Sequence, residues 1–257
     1  MTDARTDLDA RRASFLSKAD EYERYRPGYP AEAVRWLVGS PTQRVLDLGC
    51  GPGKLTAQIS EVGHDVVGVD PSLAMLQGAR RKGLLVVRAT AERLPFRDSS
   101  VDVVTAATAF HWFDVERAVP EMRRLLPSGG KVGLVTNMRD ESVPWVKALS
   151  EIIGSEAAMA VTLGGAEGME AEFVTKLEGG GLFTDTERRV FDYQQELTAE
   201  GLLGLVRSRS YIAILPDKER EERLAQVATL CREHPDLQAR ETFVMPYKTY
   251  GFRALAQ

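Results

Sequence analysis

The sequence predicts a doubly wound α/β fold, with a mostly parallel sheet and helices on both faces. Three observations predict it. Short apolar runs alternate with helix-patterned stretches from Arg44 onward, as crossover units require. A glycine-rich turn, Gly49-Cys50-Gly51-Pro52-Gly53, follows the first apolar run directly. An acidic residue, Asp70, ends the second run about twenty residues later.

The elements follow in order. Residues 1 to about 14 are polar and read as frayed, and an aromatic, charged segment runs from Phe15 to Pro30. A helix is expected over Ala31–Val38, begun by Pro30. Val45–Leu48 reads as the first strand and Lys54–Ser60 as a helix. Val66–Val69 is the second strand, and Ser72 is suited to cap a helix carrying Leu73, Met75 and Leu76. Leu84–Val87 reads as the third strand, and a fourth begins at Val101. Val115–Leu126 is a helix stopped by Pro127-Ser128-Gly129-Gly130, and Lys131–Thr136 is the fifth strand.

The second half is patterned differently. Trp145–Met159 is expected to be helical, and Arg188–Leu197 alternates as a strand. Ala199–Leu215 and Asp217–Glu233 read as two helices, and Glu241–Ala256 as a last strand with a bend at Gly251. The whole chain, 1–257, is expected to be one domain. It would carry an N-terminal helical lid over 15–40, a cofactor-binding half over 41–140 and a substrate-side half over 141–257. A helical cap, about 198–235, would lie over the ligand edge of the sheet.

Bulk properties narrow the function. The chain has 257 residues, enough for a large core, and a formal net charge of −4. That charge gives no general attraction to nucleic acid. The densest basic run, Arg80-Arg81-Lys82, suits the C-terminal end of a helix. The two cysteines, Cys50 and Cys231, form no CxxC, so neither a metal site nor a disulfide framework is expected. With no signal-peptide pattern and no membrane-length apolar run, the expected setting is the cytoplasm, away from membranes. The expected assembly is a monomer or homodimer.

The glycine turn selects the ligand. A dinucleotide fingerprint wants G-x-G-x-x-G, but here the third glycine comes one residue early, at Gly53. An acidic residue, Asp47, precedes the turn. A diphosphate disfavours a neighbouring carboxylate. S-adenosylmethionine (SAM) has no phosphate; it carries an ammonium and a sulfonium, and both favour that carboxylate. Asp70 is then placed to accept the ribose hydroxyls, with Pro71 and Met75 against the adenine.

These segments resemble the class I SAM-dependent methyltransferases. Val45-Leu46-Asp47-Leu48-Gly49-Cys50-Gly51-Pro52-Gly53 is similar to their first motif, and Val69-Asp70-Pro71-Ser72 to their second. Ala91-Glu92-Arg93-Leu94-Pro95-Phe96 with Asp102-Val103-Val104, and Arg124–Gly130, resemble later parts of the same pattern. Tyr22–Pro30 and Phe110-His111-Trp112-Phe113-Asp114 resemble a branch of trans-aconitate methyltransferase-like enzymes. The resemblance implies a Rossmann-like, seven-stranded sheet of order 3-2-1-4-5-7-6, with the last-inserted strand antiparallel, and small-molecule methyl acceptors. It implies that Gly49, Cys50 and Gly51 face the methionine part of SAM and that Ala91 and Glu92 lie beside the adenine. The branch's acidic partner of the adenine amine is missing, which leaves Thr90 or backbone for that contact. The product would be S-adenosylhomocysteine (SAH).

Acceptor-side residues are the remaining expectation. Tyr22, Tyr25 and Arg26 read as a lid, with Arg26 on the methionine carboxylate and an aromatic ring near the sulfonium. His111 and Trp112 follow the fourth strand, where an acceptor would meet the methyl group. His111 is the candidate general base, worth about 10²–10⁴-fold where one is used. Arg207 and Tyr211 would share one face of a continuous late helix, with Arg209 elsewhere, and arginine suits carboxylate recognition. Two other functions share these motifs: methylation of RNA or protein, and SAM binding in the service of another reaction.

Overall fold

The computed structural model describes residues 23–154 and 175–257. Seven strands form one sheet of order β3-β2-β1-β4-β5-β7-β6. They are β1 (Arg44–Leu48), β2 (Asp65–Asp70), β3 (Val86–Arg88), β4 (Val103–Ala107), β5 (Lys131–Arg139), β6 (Phe183–Leu197) and β7 (Phe243–Ala256). Strands β1 to β5 pair in parallel; Val45 of β1, for example, faces Val66 of β2 and Val103 of β4. Strand β7 runs antiparallel to β5. Ala256 donates to the Gly130 carbonyl at one end, and Asp140 to that of Pro246 at the other. The order and the single reversal are those the resemblance implies.

The third strand is shorter and later than its apolar run suggests. Leu84 and Leu85 precede it, and Leu85 is 71% exposed. It is an edge strand whose one neighbour is β2, and the two pair only from Gly68–Val86 to Asp70–Arg88. The helices are α1 (Ala31–Val38), α2 (Lys54–Glu61), α3 (Leu73–Arg81), α4 (Val115–Leu125), α5 (Pro144–Ile153), α6 (Ala199–Arg207), α7 (Ser210–Ala213) and α8 (Asp217–Glu233). Helix α3 starts where expected: Ser72 Oγ accepts the Met75 N–H, a cap contact worth about 1 kcal/mol. It ends on Arg80 and Arg81, where the helix dipole favours cations. Helix α5 stops at Gly154 in a left-handed conformation; the part of the expected helix beyond it, to Met159, lies outside the described residues.

The expected helix 199–215 is broken. Helix α6 ends at Arg207, Ser208 caps it, and Arg209 takes extended backbone before the single turn of α7. The Ser208 hydroxyl donates to the Leu205 carbonyl, and its own oxygens are taken by Arg26, so helical continuation is replaced by side-chain bonding.

The described residues fall into two compact units. The larger comprises residues 28–138, 175–192 and 248–257, and the smaller residues 23–27, 139–154 and 193–247. In the larger unit, Val34, Leu37 and Val38 of α1 pack with Val45, Leu55, Ile59 and Val103 in one core. In the smaller, Trp145 and Leu149 of α5 pack with Leu202, Leu205, Val227 and Met245. The segment read as a lid is thus divided. Tyr25 and Arg26 belong to the smaller unit together with α6, α7 and α8, and Gly28 onward to the larger. Among the described residues no helix is long and apolar enough to cross a membrane.

Candidate active site

The larger unit gathers the loops that leave the C-terminal ends of β1, β2, β3 and β4. Open α/β sheets bind their ligands there. The predicted residues Asp47, Gly49, Cys50, Gly51, Asp70, Pro71, Met75, Thr90, Ala91, Glu92, His111 and Trp112 all fall on these ends. A separate cavity of about 510 Å³ opens at the opposite, N-terminal ends, near Arg44, Asp65 and Val101, and has no part in this cluster.

The glycine turn is built from three left-handed residues. Gly49 (φ 64°), Gly51 (φ 56°) and Gly53 (φ 83°) all occupy a region that costs other L-residues about 1–2 kcal/mol. Their surroundings differ. A Cβ on Gly49 would stand 2.6 Å from the Ala109 Cβ, and one on Gly53 would stand 2.4 Å from Leu84 Cδ1. A Cβ on Gly51 would meet nothing within 4 Å. Gly49 is therefore required by packing, Gly53 chiefly by its left-handed backbone because the Leu84 tip can move, and Gly51 leaves its backbone bare beside open space. Cys50 contributes backbone only. Its thiol is buried, packs against Gly68, and burial pushes its pKa up.

Asp70 joins this turn to the next loop. Its Oδ2 accepts the Gly51 N–H at 3.0 Å, and its Oδ1 accepts the Ser72 N–H at 2.8 Å. Both oxygens thus accept backbone N–H groups, which fixes the carboxylate between the two loops. Met75 lies buried within α3, whereas Leu73, at the start of the same helix, is 47% exposed. Leu73 is thus the open apolar side chain beside Asp70, and sequence reasoning passed over it. Lys82 is another such residue: its ammonium donates to the Pro52 carbonyl and ties the end of α3 to the glycine turn.

Asp47 does not present a free carboxylate. It is fully buried, and Thr56 and Thr105 donate their hydroxyls to its two oxygens at 2.6 and 2.9 Å. Burial raises its pKa to about 6, with the two hydroxyls pulling the other way. Between pH 3.8 and about 6 the folded carboxyl binds more protons than the unfolded one. Its contribution to stability is therefore greatest at low pH and is lost as pH rises through about 6. Asp47→Asn removes this dependence. We expect the variant to gain roughly 3 kcal/mol relative to the native chain between pH 4 and pH 8, measured by urea unfolding; equal pH profiles would contradict it.

Past β4 the chain turns on Thr108, a non-glycine residue at φ 49°. The Thr108 hydroxyl is held between the Tyr29 hydroxyl at 3.1 Å and the Thr136 hydroxyl at 3.3 Å, which compensates strain of about 1–3 kcal/mol. This turn delivers a 3₁₀ helix, Phe110–Trp112, with the His111 ring 4.7 Å from that of Trp112. Burial, and then the cation of Lys176, push the His111 pKa down to about 3. His111 is consequently neutral at physiological pH. Glu92 Oε1 accepts the Asp114 N–H at 3.0 Å, so it links the β3 and β4 loops. Thr90 and Arg93 close a tight turn, with Ala91 buried between them.

The other predicted residues lie in the smaller unit or outside the description. Tyr22 lies outside the described residues. Tyr25 packs on Gly204, and its carbonyl accepts from Gln195. Arg26 donates to the hydroxyl and the carbonyl of Ser208 at 3.0 and 2.9 Å. The break at Ser208 overturns the expected pairing of Arg207 with Tyr211 on one helical face. Arg209, not Arg207, interacts with Tyr211, Arg26 and Arg139. Arg207 makes no hydrogen bond or ion pair among the described residues. Arg209 was set on another face because a helix-face argument fails once the helix is interrupted, and Arg139, at the end of β5, was missed because nothing in its own segment marks it. Among the described residues no group of acidic, His and Cys side chains could hold a metal.

Known proteins match this arrangement. A family described as a methyltransferase domain matches residues 46–134, which span the glycine turn and reach into β5. An uncharacterized methyltransferase of Mycobacterium tuberculosis is 41% identical over 256 residues, covering 99% of each chain. A yeast protein, from Saccharomyces cerevisiae, named as an S-adenosylmethionine-dependent methyltransferase is 31% identical over 54% of this chain and 53% of its own. The solved structure of a protein described as a type II methyltransferase from Anaeromyxobacter dehalogenans superposes with a TM-score of 0.66. It is 26% identical and covers 90% of this chain and 98% of its own. Sheet order, glycine turn, strand-ending acid and near-full-length identity agree: the chain belongs to the class I SAM-dependent methyltransferases.

Proposed function

We propose that the turn 49–53 and Asp70 hold SAM, and that its methyl group is transferred to a small-molecule acceptor. One observation carries the cofactor assignment. Gly51 leaves open space beside a bare left-handed backbone whose N–H is already bonded to Asp70, so turn and acid form one cradle. Asp70 then accepts from the ribose hydroxyls, Leu73 and Pro71 offer apolar surface to the adenine, and Thr90 to Glu92 close its edge. Above about pH 6 the buried Asp47 carboxylate is a negative charge behind the turn, suited to a cation without phosphate.

SAM, when bound, supplies an electrophilic methyl group on a cationic sulfur. The chain's own part is to bind, to align and to exclude water, and alignment alone contributes up to ~7–11 kcal/mol. His111 fits alignment better than proton removal. A base is most effective with its pKa near the working pH, and the His111 pKa of about 3 lies far below it. Its neutral ring accepts a hydrogen bond from an acceptor hydroxyl or amine. The small-molecule reading is supported by the net charge of −4, which does not favour RNA.

The deciding experiment incubates the protein with methyl-labelled SAM and panels of small acids, alcohols and amines, beside RNA and protein. Label in a small molecule is the expected result. Label only in RNA or protein, or tight SAM binding without transfer to anything, refutes the reading. His111→Ala is expected to lower kcat by about tenfold or more while the Kd for SAH stays within about twofold. Equal loss of both, by kinetics and calorimetry, would assign His111 to structure or cofactor binding.

A further inference from the structure

The smaller unit holds a group of cations that the cofactor cradle does not use. Arg209 lies in the break between α6 and α7, and its Nε is buried with no hydrogen-bond partner among the described residues. Beside it, Arg26 is anchored on Ser208 by bonds of 3.0 and 2.9 Å. Arg139, the last residue of β5, is anchored by a 3.2 Å bond to the Ser150 hydroxyl, and its charge acts on Tyr211. Neither Arg139 nor Arg209 forms an ion pair among the described residues. The polar neighbours that do face them are phenols. Tyr211 is one; Tyr247, held by a 3.1 Å bond to Gln195, is the other.

An unpaired guanidinium is expensive to bury, and two more cations nearby raise the cost. The Arg209 pKa registers this: burial and then Arg26 push it down to about 10. Folding alone gives no reason for a donor aimed at nothing. A neutral residue of the same volume would pack as well. The missing partner is an anion, and planar guanidiniums match the two-oxygen edge of a carboxylate or phosphate. The two anchored arginines have their orientation set in advance by Ser208 and Ser150. That reduces the ordering cost of binding.

We propose that Arg209, flanked by Arg26, Arg139 and Tyr211, is a recognition site for the oxyanionic group, carboxylate or phosphate, of a small molecule. The site lies wholly within the smaller unit and goes beyond the cofactor reading above.

The test is calorimetry on the full chain with succinate, glycerol phosphate and neutral succinamide, each with and without SAH. Succinate or glycerol phosphate is expected to bind, the tighter of the two giving the class of oxyanion, and succinamide is not. Arg209→Gln is expected to weaken that binding roughly tenfold to a hundredfold, with SAH affinity unchanged. Arg209→Lys, which keeps the charge but not the fork, should fall between them. No oxyanion binding to the native chain, or equal binding to Arg209→Gln, overturns the proposal. So does an equal loss of SAH affinity, which would make the cofactor's own carboxylate the ligand.

Discussion

Gly51→Ala is expected to lose at least about tenfold in SAH affinity while costing only about 1–2 kcal/mol of stability. The stability cost is the left-handed backbone alone, because no atom lies within 4 Å of the added Cβ. The affinity cost follows from position: the methyl group stands where the ligand would approach the bare backbone. Gly49→Ala is expected to behave in the opposite way. It has the same backbone strain, and its Cβ would meet the Ala109 Cβ at 2.6 Å. That methyl cannot rotate aside, so the β1 and β4 loops must separate. Overpacking adds about 1–3 kcal/mol to the strain. For a chain of this length each kcal/mol lowers Tm by about 2–4 °C. Thermal unfolding and calorimetry with SAH measure both quantities on both variants. A Gly51→Ala protein that binds SAH normally would move the ligand away from the turn.

Asp70→Ala is expected to weaken SAH binding by more than about tenfold. Two losses combine. The carboxylate's acceptor sites for the ribose disappear, and the N–H groups of Gly51 and Ser72 lose their partners. Leaving such donors unsatisfied costs about 1–3 kcal/mol each where water does not replace the carboxylate, so Tm should fall as well. Asp70→Asn does not restore the site. One amide nitrogen must face an N–H, donor against donor. Adenosine separates the two effects. If Asp70 takes the ribose, adenosine binding falls in parallel with SAH binding, whereas a loss confined to SAH would put the effect in the turn. Unchanged SAH affinity by calorimetry would sink the ribose assignment.

The fold was legible in the sequence wherever the signal was local. Strand β1, the glycine turn and α2 fall within Arg44–Glu61, and their signals are short-range: apolar β residues, then residues tolerant of positive φ. Strand β3 was placed two residues early because Leu84 and Leu85 look like strand residues, and only pairing with β2 decides where the strand begins. The late helix was read as continuous because Ser208 is an acceptable helical residue. Only Arg26, 182 positions away, makes it a cap.

The glycine turn with its acid and the arginine cluster divide in the same way. Asp47, Gly51 and Asp70 were readable because they lie within one βαβ unit, where spacing determines placement. Even there the hydroxyls of Thr56 and Thr105 that occupy Asp47 were invisible, since Thr105 reaches it from a neighbouring strand. The sequence by itself determined the fold class, the turn and its acidic partner, because backbone conformation and strand spacing are local constraints. Tertiary structure alone decided that Arg26, Arg139 and Arg209 meet, because their segments are brought together by packing and no periodicity in the chain encodes that meeting.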